Sequence, residues 1–280
     1  MMLPSDFQFS QGSLQDYVDC PRRFYLRYIR RLAWPAVISE PIAEQEAHGH
    51  AGQAFHRLVH QHLLGIVGKE PAMEGASLII GDALSRWWRN YLQSPPADLP
   101  AARYPELGLS AALAGHRLVA QYDLIAVEPG KRAVIVDWKT TQRRPAPAWL
   151  ARRLQTRVYR YLLARAGRHL NGGQEIAPEQ ITMIYWFAEF PQAPASFPYD
   201  SDQYVADETY LAHLIAEIAR GEEADFPLTQ AVERCGFCLY RSLCARGVKA
   251  ATGDEGAFDA EDAEPFVGTF DFEQIAEIAF

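Results

Sequence analysis

The chain has 280 residues, 49% of them apolar, 12% aromatic and 22% charged. That is enough apolar material for a sizeable core, and it excludes a disordered, collagen-like or repeat-built chain. The formal net charge of −8 argues against a polyanionic partner only until its distribution is counted. Residues 251–280 hold nine acids and no Lys or Arg, and the rest of the chain carries 26 acids against 27 bases. Residues 130–170 hold eleven bases and one acid, Asp137. A basic central block beside an acidic tail is compatible with an anion-binding face. Apolar runs such as 133–136 and 181–188 fall well short of the ~20 residues a membrane span needs. Residues 1–10 carry neither a basic head nor an apolar run, so no signal peptide is expected, and the protein is expected to be cytoplasmic, with no membrane partner.

In chain order, Ser13 followed by Asp16 resembles a capping box ahead of Leu14, Tyr17 and Val18. Pro21 ends that helix or starts the next. Residues 22–31 have a helical pattern that turns Phe24, Tyr25 and Tyr28 inward and five arginines outward. Residues 49–66 give a second helix through Phe55, Leu58, Val59, His62 and Ile66, and residues 79–92 a third through Leu84, Trp87, Trp88 and Tyr91. From residue 116 the period changes to that of strands. Segments 118–127 and 133–137, joined by the turn Glu128-Pro129-Gly130-Lys131, form a hairpin. A basic amphipathic helix over 148–166, a strand over 181–190 and a helix over 207–220 follow. Residues 272–280, in the acidic tail, again have helical periodicity.

The hairpin puts Asp123 in one strand and Asp137 at the end of the next. Strand alternation places Lys139 on the same face as Asp137. Two carboxylates and an ammonium on one sheet face are costly to bury without a purpose. Around a divalent cation they acquire one, and oxygen ligands suit Mg²⁺ or Mn²⁺. Such a metal polarises a phosphate and acidifies a water, which the lysine orients.

VIVDWKTT, with the aspartate of LVAQYDLI thirteen intervening residues before Asp137, resembles the PD-(D/E)XK nuclease superfamily. The branch it looks most like is that of RecB-type exonucleases and the CRISPR-associated iron–sulfur exonuclease. GQAFH, with Gly52 and His56, resembles that branch's helical G-x-x-x-H, whose histidine is a metal ligand. QTRVY resembles its Q-x-x-x-Y helix, and the spacing lets Gln155 and Tyr159 share a face. Glu106 resembles an acidic position found before the hairpin, and LQDYVDCPRRFYLRY resembles the opening helix pair. The family often has glycine three residues before the first aspartate, where this chain has Ala120. The resemblance covers about residues 10–247. It implies an α/β fold with a central mixed sheet flanked by helices. It also implies metal held by His56, Asp123, Asp137 and the Trp138 carbonyl, with Lys139, Gln155 and Tyr159 as further catalytic positions.

The four cysteines form C-x2-C-x5-C at Cys235, Cys238 and Cys244, with Cys20 far upstream. By spacing alone, zinc and a [4Fe–4S] cluster compete evenly. The resemblance favours the [4Fe–4S] cluster, as a structural staple closing a lobe made from both chain ends. The implied substrate is DNA, as single-stranded ends. Arg22, Arg23, Arg143, Arg144, Arg152 and Arg153 are expected to contact its phosphates, while Tyr25, Trp138, Trp149 and Tyr159 either stack bases or fill the core. The expected organisation is a nuclease domain over 1–250 and an acidic tail over 251–280. That tail is a solvated extension, a competitor for the basic groove or a docking segment for a protein partner. The competing reading, from another functional class, is an idle nucleic-acid-binding or scaffolding subunit.

Overall fold

A computed structural model describes residues 3–4, 6–32, 40–68, 78–236 and 238–247. The expected acidic tail, including the helical pattern at 272–280, lies outside the described residues.

The strands are β1 (Gln8–Ser10), β2 (Ala102–Leu113), β3 (His116–Glu128), β4 (Arg132–Lys139), β5 (Ile181–Phe187) and β6 (Ala195–Pro198). They form one mixed sheet, as expected. Strand β3 is its axis. One edge pairs antiparallel with β2 along almost its whole length. The other edge is shared: β1 pairs with residues 117–119, and β4 pairs from Leu124↔Val136 to Glu128↔Arg132. Among the described residues, positions 120–123 have no ladder partner on that edge. Past Val136, β4 leaves β3 and stays paired only with β5, in the parallel register Asp137↔Tyr185 to Lys139↔Phe187. The sheet therefore forks at Asp123 and Asp137.

Both faces are buried. On one, Tyr122, Ile125, Ile135, Met183 and Tyr185 join a large core. That core includes residues of α1 (Gln11–Asp19), α6 (Leu154–Ala166) and α7 (Ser201–Arg220). On the other face, Leu124, Val136, Trp138 and Trp186 meet Phe55 and Val59 of α3 (Glu40–Leu63) and Trp87 and Tyr91 of α4 (Leu78–Gln93). The hairpin turn and the helices near 49–66 and 79–92 are where the apolar periodicity predicts them. Ile66 is an exception, exposed beyond the end of α3.

Other expectations need correction. The first helix is capped one turn earlier, by a reciprocal pair of Ser10 and Ser13. Asp16 is instead buried and ion-paired to Arg23 and Arg27. Those two arginines, expected to face outward, fold back from α2 (Pro21–Phe24) and the π-helical turn Tyr25–Ile29 that continues it. The helix expected over 148–166 is two, α5 (Pro147–Leu150) and α6. The Thr156 hydroxyl donates to the Leu150 carbonyl, and the Leu154 N–H donates to the Gln15 side chain, so side chains replace the continuous ladder. Strand β5 stops at Phe187 rather than 190, and α7 starts at Ser201, capped by Asp200.

Candidate active site

The fork owes its shape to a matched irregularity in two strands. In β3, Leu118, Ala120 and Tyr122 face the larger core, but so do Ile125 and Val127, so the alternation slips by one around Asp123. In β2, the side chains on that face change from Tyr104 to Leu107 and Leu109, a slip around Glu106. Glu106 stands opposite Asp123 in the register and adopts φ +51°. A left-handed backbone at a non-glycine residue costs about 1–2 kcal/mol, offset here by the ladder on either side.

Asp123 reaches α3, on one side of the sheet. Its Oδ1 lies 3.2 Å from His56 Nδ1, and its Oδ2 accepts the Trp138 N–H at 2.8 Å. Asp137 meets α6: its Oδ1 accepts from Gln155 Nε2 at 2.7 Å, and its Oδ2 lies 3.2 Å from Lys139 Nζ. Asp137 and Lys139 are only 3% and 7% exposed. Each carboxylate is thus fixed through one oxygen by a neutral donor and turns its second oxygen toward an imidazole or an ammonium. Burial opposes the charge of Asp123, but His56, the Trp138 N–H and Lys139 together hold its carboxyl below the usual range. Burial, and then the Asp123 charge, push Glu106 upward.

Gln155 therefore reaches the site expected of it. Tyr159, one turn on, does not reach the carboxylates through a hydrogen bond. It is buried, its hydroxyl donates to the Gln121 carbonyl at 2.7 Å, and its own carbonyl accepts from the Tyr122 hydroxyl at 2.8 Å. It braces β3 beside Asp123. Gln121 also donates to the Glu106 carbonyl at 2.6 Å. No motif marks Gln121; its only sequence signal is its place two residues before Asp123.

The donors suit a hard divalent cation: two oriented carboxylates and an imidazole, with a backbone carbonyl at Trp138. Among the described residues, no three His, Cys, Asp or Glu side chains converge as a chelating group. The same holds for the four cysteines, which are unpaired thiols. Those thiols are nonetheless neighbours. Burial, followed by the Cys20 charge, raises the Cys235 and Cys244 thiols, and burial pushes Cys238 to about 11. Nearby arginines only partly oppose that rise, Arg246 and Arg23 at Cys235, Arg23 at Cys238, and Arg22 and Arg246 at Cys244, and four neighbouring thiols are the donor type that a thiolate-held metal centre uses.

The arginines expected to hold nucleic acid divide into two groups. Arg143 and Arg152 are exposed, and Arg153 stacks over the half-buried Trp149 at 4.7 Å. Arg144 donates to the Ala193 carbonyl at 2.8 Å. Arg22 lies over the Tyr25 ring at 5.3 Å and 3.9 Å from Glu223. Arg23 is committed to Asp16 and Asp19 at 2.8 and 2.9 Å, which corrects its expected place on a phosphate-binding surface. Of the aromatic side chains, Tyr25, Trp138 and Tyr159 are core. No helix among the described residues is long and apolar enough to cross a membrane.

Comparison with solved structures gives a fold likeness. A crystal structure of a "Putative exonuclease" from Eubacterium rectale is 9% identical, covering 95% of this chain and 100% of its own, with a TM-score of 0.52. The crystal structure of SSO0001 is 13% identical, covering 86% of this chain and 87% of its own, with a TM-score of 0.40. No curated protein matches. A sequence model of the PD-(D/E)XK nuclease superfamily matches residues 8–245, from β1 through all four cysteines. With the forked sheet and the Asp–Asp–Lys set at its branch point, the chain belongs to the PD-(D/E)XK nuclease superfamily.

Proposed function

We propose that this protein is a metal-dependent deoxyribonuclease, an exonuclease on single-stranded DNA ends, that uses Mg²⁺ or Mn²⁺ at the fork. The observation that carries this reading is the pair of aspartates at the branch point, each fixed through one oxygen by a neutral hydrogen-bond donor so that the other faces the His56 imidazole or the Lys139 ammonium. Burying Asp137 and Lys139, with Asp123 half-buried beside them, brings a desolvation cost that a structural role alone does not require. In this reading His56, Asp123, Asp137 and the Trp138 carbonyl hold the metal. When bound, a divalent cation polarises the scissile phosphate and acidifies a water. Lys139 would orient an attacking water and offset the charge that grows on the phosphate oxygens. Gln155 keeps Asp137 turned toward the site, and Tyr159 holds β3. Glu106, opposite Asp123, supplies a further carboxylate at the same rim. Exposed Arg143 and Arg152, with Arg153 on Trp149, carry the phosphate backbone, giving affinity without sequence preference.

The reading extends to the two chain ends. Cys20, Cys235, Cys238 and Cys244 hold a structural [4Fe–4S] cluster, with zinc as the alternative. The nuclease domain spans 1–250, and the acidic segment 251–280 is a tail able to dock a protein partner. The setting is the cytoplasm, in DNA repair, recombination or CRISPR adaptation. Iron, sulfide and zinc analysis of anaerobically purified protein separates the two metal centres.

The test of activity is digestion of end-labelled single-stranded DNA with Mn²⁺, wild type beside Lys139→Ala. Cleavage by wild type alone is expected, and the product ladder gives polarity. DNA binding without cleavage by either protein contradicts the proposal and leaves the scaffolding reading.

A further inference from the structure

Five histidines lie between residues 48 and 62, and only His56 matches a motif. His48 lies two turns before His56 on α3, at positions 48, 52 and 56 of one helical stripe. His48 Nε2 lies 2.9 Å from the carbonyl oxygen of Thr140, the residue after Lys139. Its ring stands edge-on against Trp87 at 5.2 Å. Trp87 in turn donates to Glu189 at 2.8 Å, beyond the end of β5.

We infer that His48 is a positioning residue for Lys139. The ammonium can act only if the end of β4 holds its place after that strand has left β3. Among the contacts that hold this end are two to its backbone: the Ala188 N–H donates to the Lys139 carbonyl at 2.7 Å, and the His48 ring donates to the carbonyl one residue on. The first ties Lys139 to β5. The second ties it to the helix that carries His56. His56 meets Asp123, and Lys139 meets Asp137, so one helix stripe sets the separation between the two halves of the site. Thr140 is fully buried and Thr141 nearly so, which leaves little solvent to replace a missing donor at this loop. A group that acts by orienting a catalytic neighbour is worth about 10–100-fold in activity.

This inference rests on the nuclease reading, and its test separates the two. Cleavage of end-labelled single-stranded DNA with Mn²⁺ is measured for the wild-type chain, Lys139→Ala, His48→Phe and His48→Gln. The phenylalanine keeps a ring against Trp87 and removes the donor, while the glutamine restores an N–H at similar reach. For His48→Phe, kcat is expected to fall about 10–100-fold with KM for DNA within about 2-fold. His48→Gln is expected to recover most of the loss. A purely stabilising role would lower the melting temperature of His48→Phe and leave kcat of the folded protein unchanged, and that result overturns the inference. So does equal loss in both variants. An inactive wild type would remove the nuclease reading and this inference together, whereas active wild type with full activity in His48→Phe removes only the inference.

Discussion

The fork and the cysteine lobe bring distant residues together by opposite means. At the fork, each functional side chain stands on an element anchored in one of the two cores. Phe55 and Val59 seat the helix that carries His56, and Val158 and Leu162 seat the helix that carries Gln155. Backbone register then sets the spacing of Asp123, Asp137 and Lys139. The lobe contributes little to the core beyond Tyr240 and partly buried Cys238 and Cys244, while Val232, Leu239 and Leu243 are 50%, 47% and 40% exposed. It is held by polar ties: Arg22 N–H to the Pro227 carbonyl, Arg234 to Asp19 at 3.0 Å, and the Tyr240 hydroxyl to the Leu32 carbonyl at 2.8 Å. A site framed by a packed core keeps its shape whatever it binds. On the proposed reading, a segment without much core would depend on a metal centre held by its thiols.

The largest effects should come from breaking the fork's chemistry while leaving its frame intact. Lys139→Ala and Asp137→Asn should each lower kcat by about 10²–10³-fold or more, with circular dichroism unchanged. Next, Cys20→Ala or removal of the metal centre should loosen the lobe. Limited proteolysis should then cut within 227–247 far faster than in wild type, while Mn²⁺ affinity at the fork stays the same. Gln155→Ala should cost about 10–100-fold in activity, because Asp137 loses the donor that turns it.

A pH series sharpens the contrast at the fork's frame. Burial opposes the Glu189 charge, but hydrogen bonds from Arg86 and Trp87 outweigh it and hold the carboxyl below its usual range. A depressed folded-state pKa stabilises the protein at neutral pH, and that stabilisation is lost as pH falls from the usual carboxylate value, near ~4, through the lower folded-state value. Wild type should therefore exceed Glu189→Gln by about 1–2 kcal/mol at pH 7, with the gap closing toward pH ~3 in parallel thermal melts. The smallest effect belongs to Arg234→Ala. The arginine is 35% exposed, so its pairing with Asp19 is worth about 1 kcal/mol or less by chemical denaturation.

The same contrast explains what the sequence reveals. Helices α3 and α4 are legible because Phe55, Val59, Trp87 and Tyr91 recur at helical spacing over a long run. Asp137 and Lys139 are legible as a pair because strand alternation puts them on one face, and a short turn brings the strand of Asp123 beside them, but the slip in β3 around Asp123 does not show in the alternation. Strand β2 is hidden: Pro105 and Gly108 interrupt it, and its alternation slips at Glu106. The first turns of α7 are hidden because the side chain they bury is Asp207, paired with Arg157 at 3.2 Å, rather than an apolar one. Charge counting misjudges Arg23, Arg27 and Arg160, whose partners lie elsewhere in the chain: Asp16 for the first two, and the Pro198 carbonyl and Gln203 for the third.

The most direct test is Mn²⁺ binding followed by electron paramagnetic resonance, comparing wild type with the double variant Asp123→Asn/Asp137→Asn at equal folded concentration. Wild type should take up Mn²⁺ saturably, and the double variant should leave it free in solution. Equal binding by the two proteins would contradict a divalent-cation site at the fork.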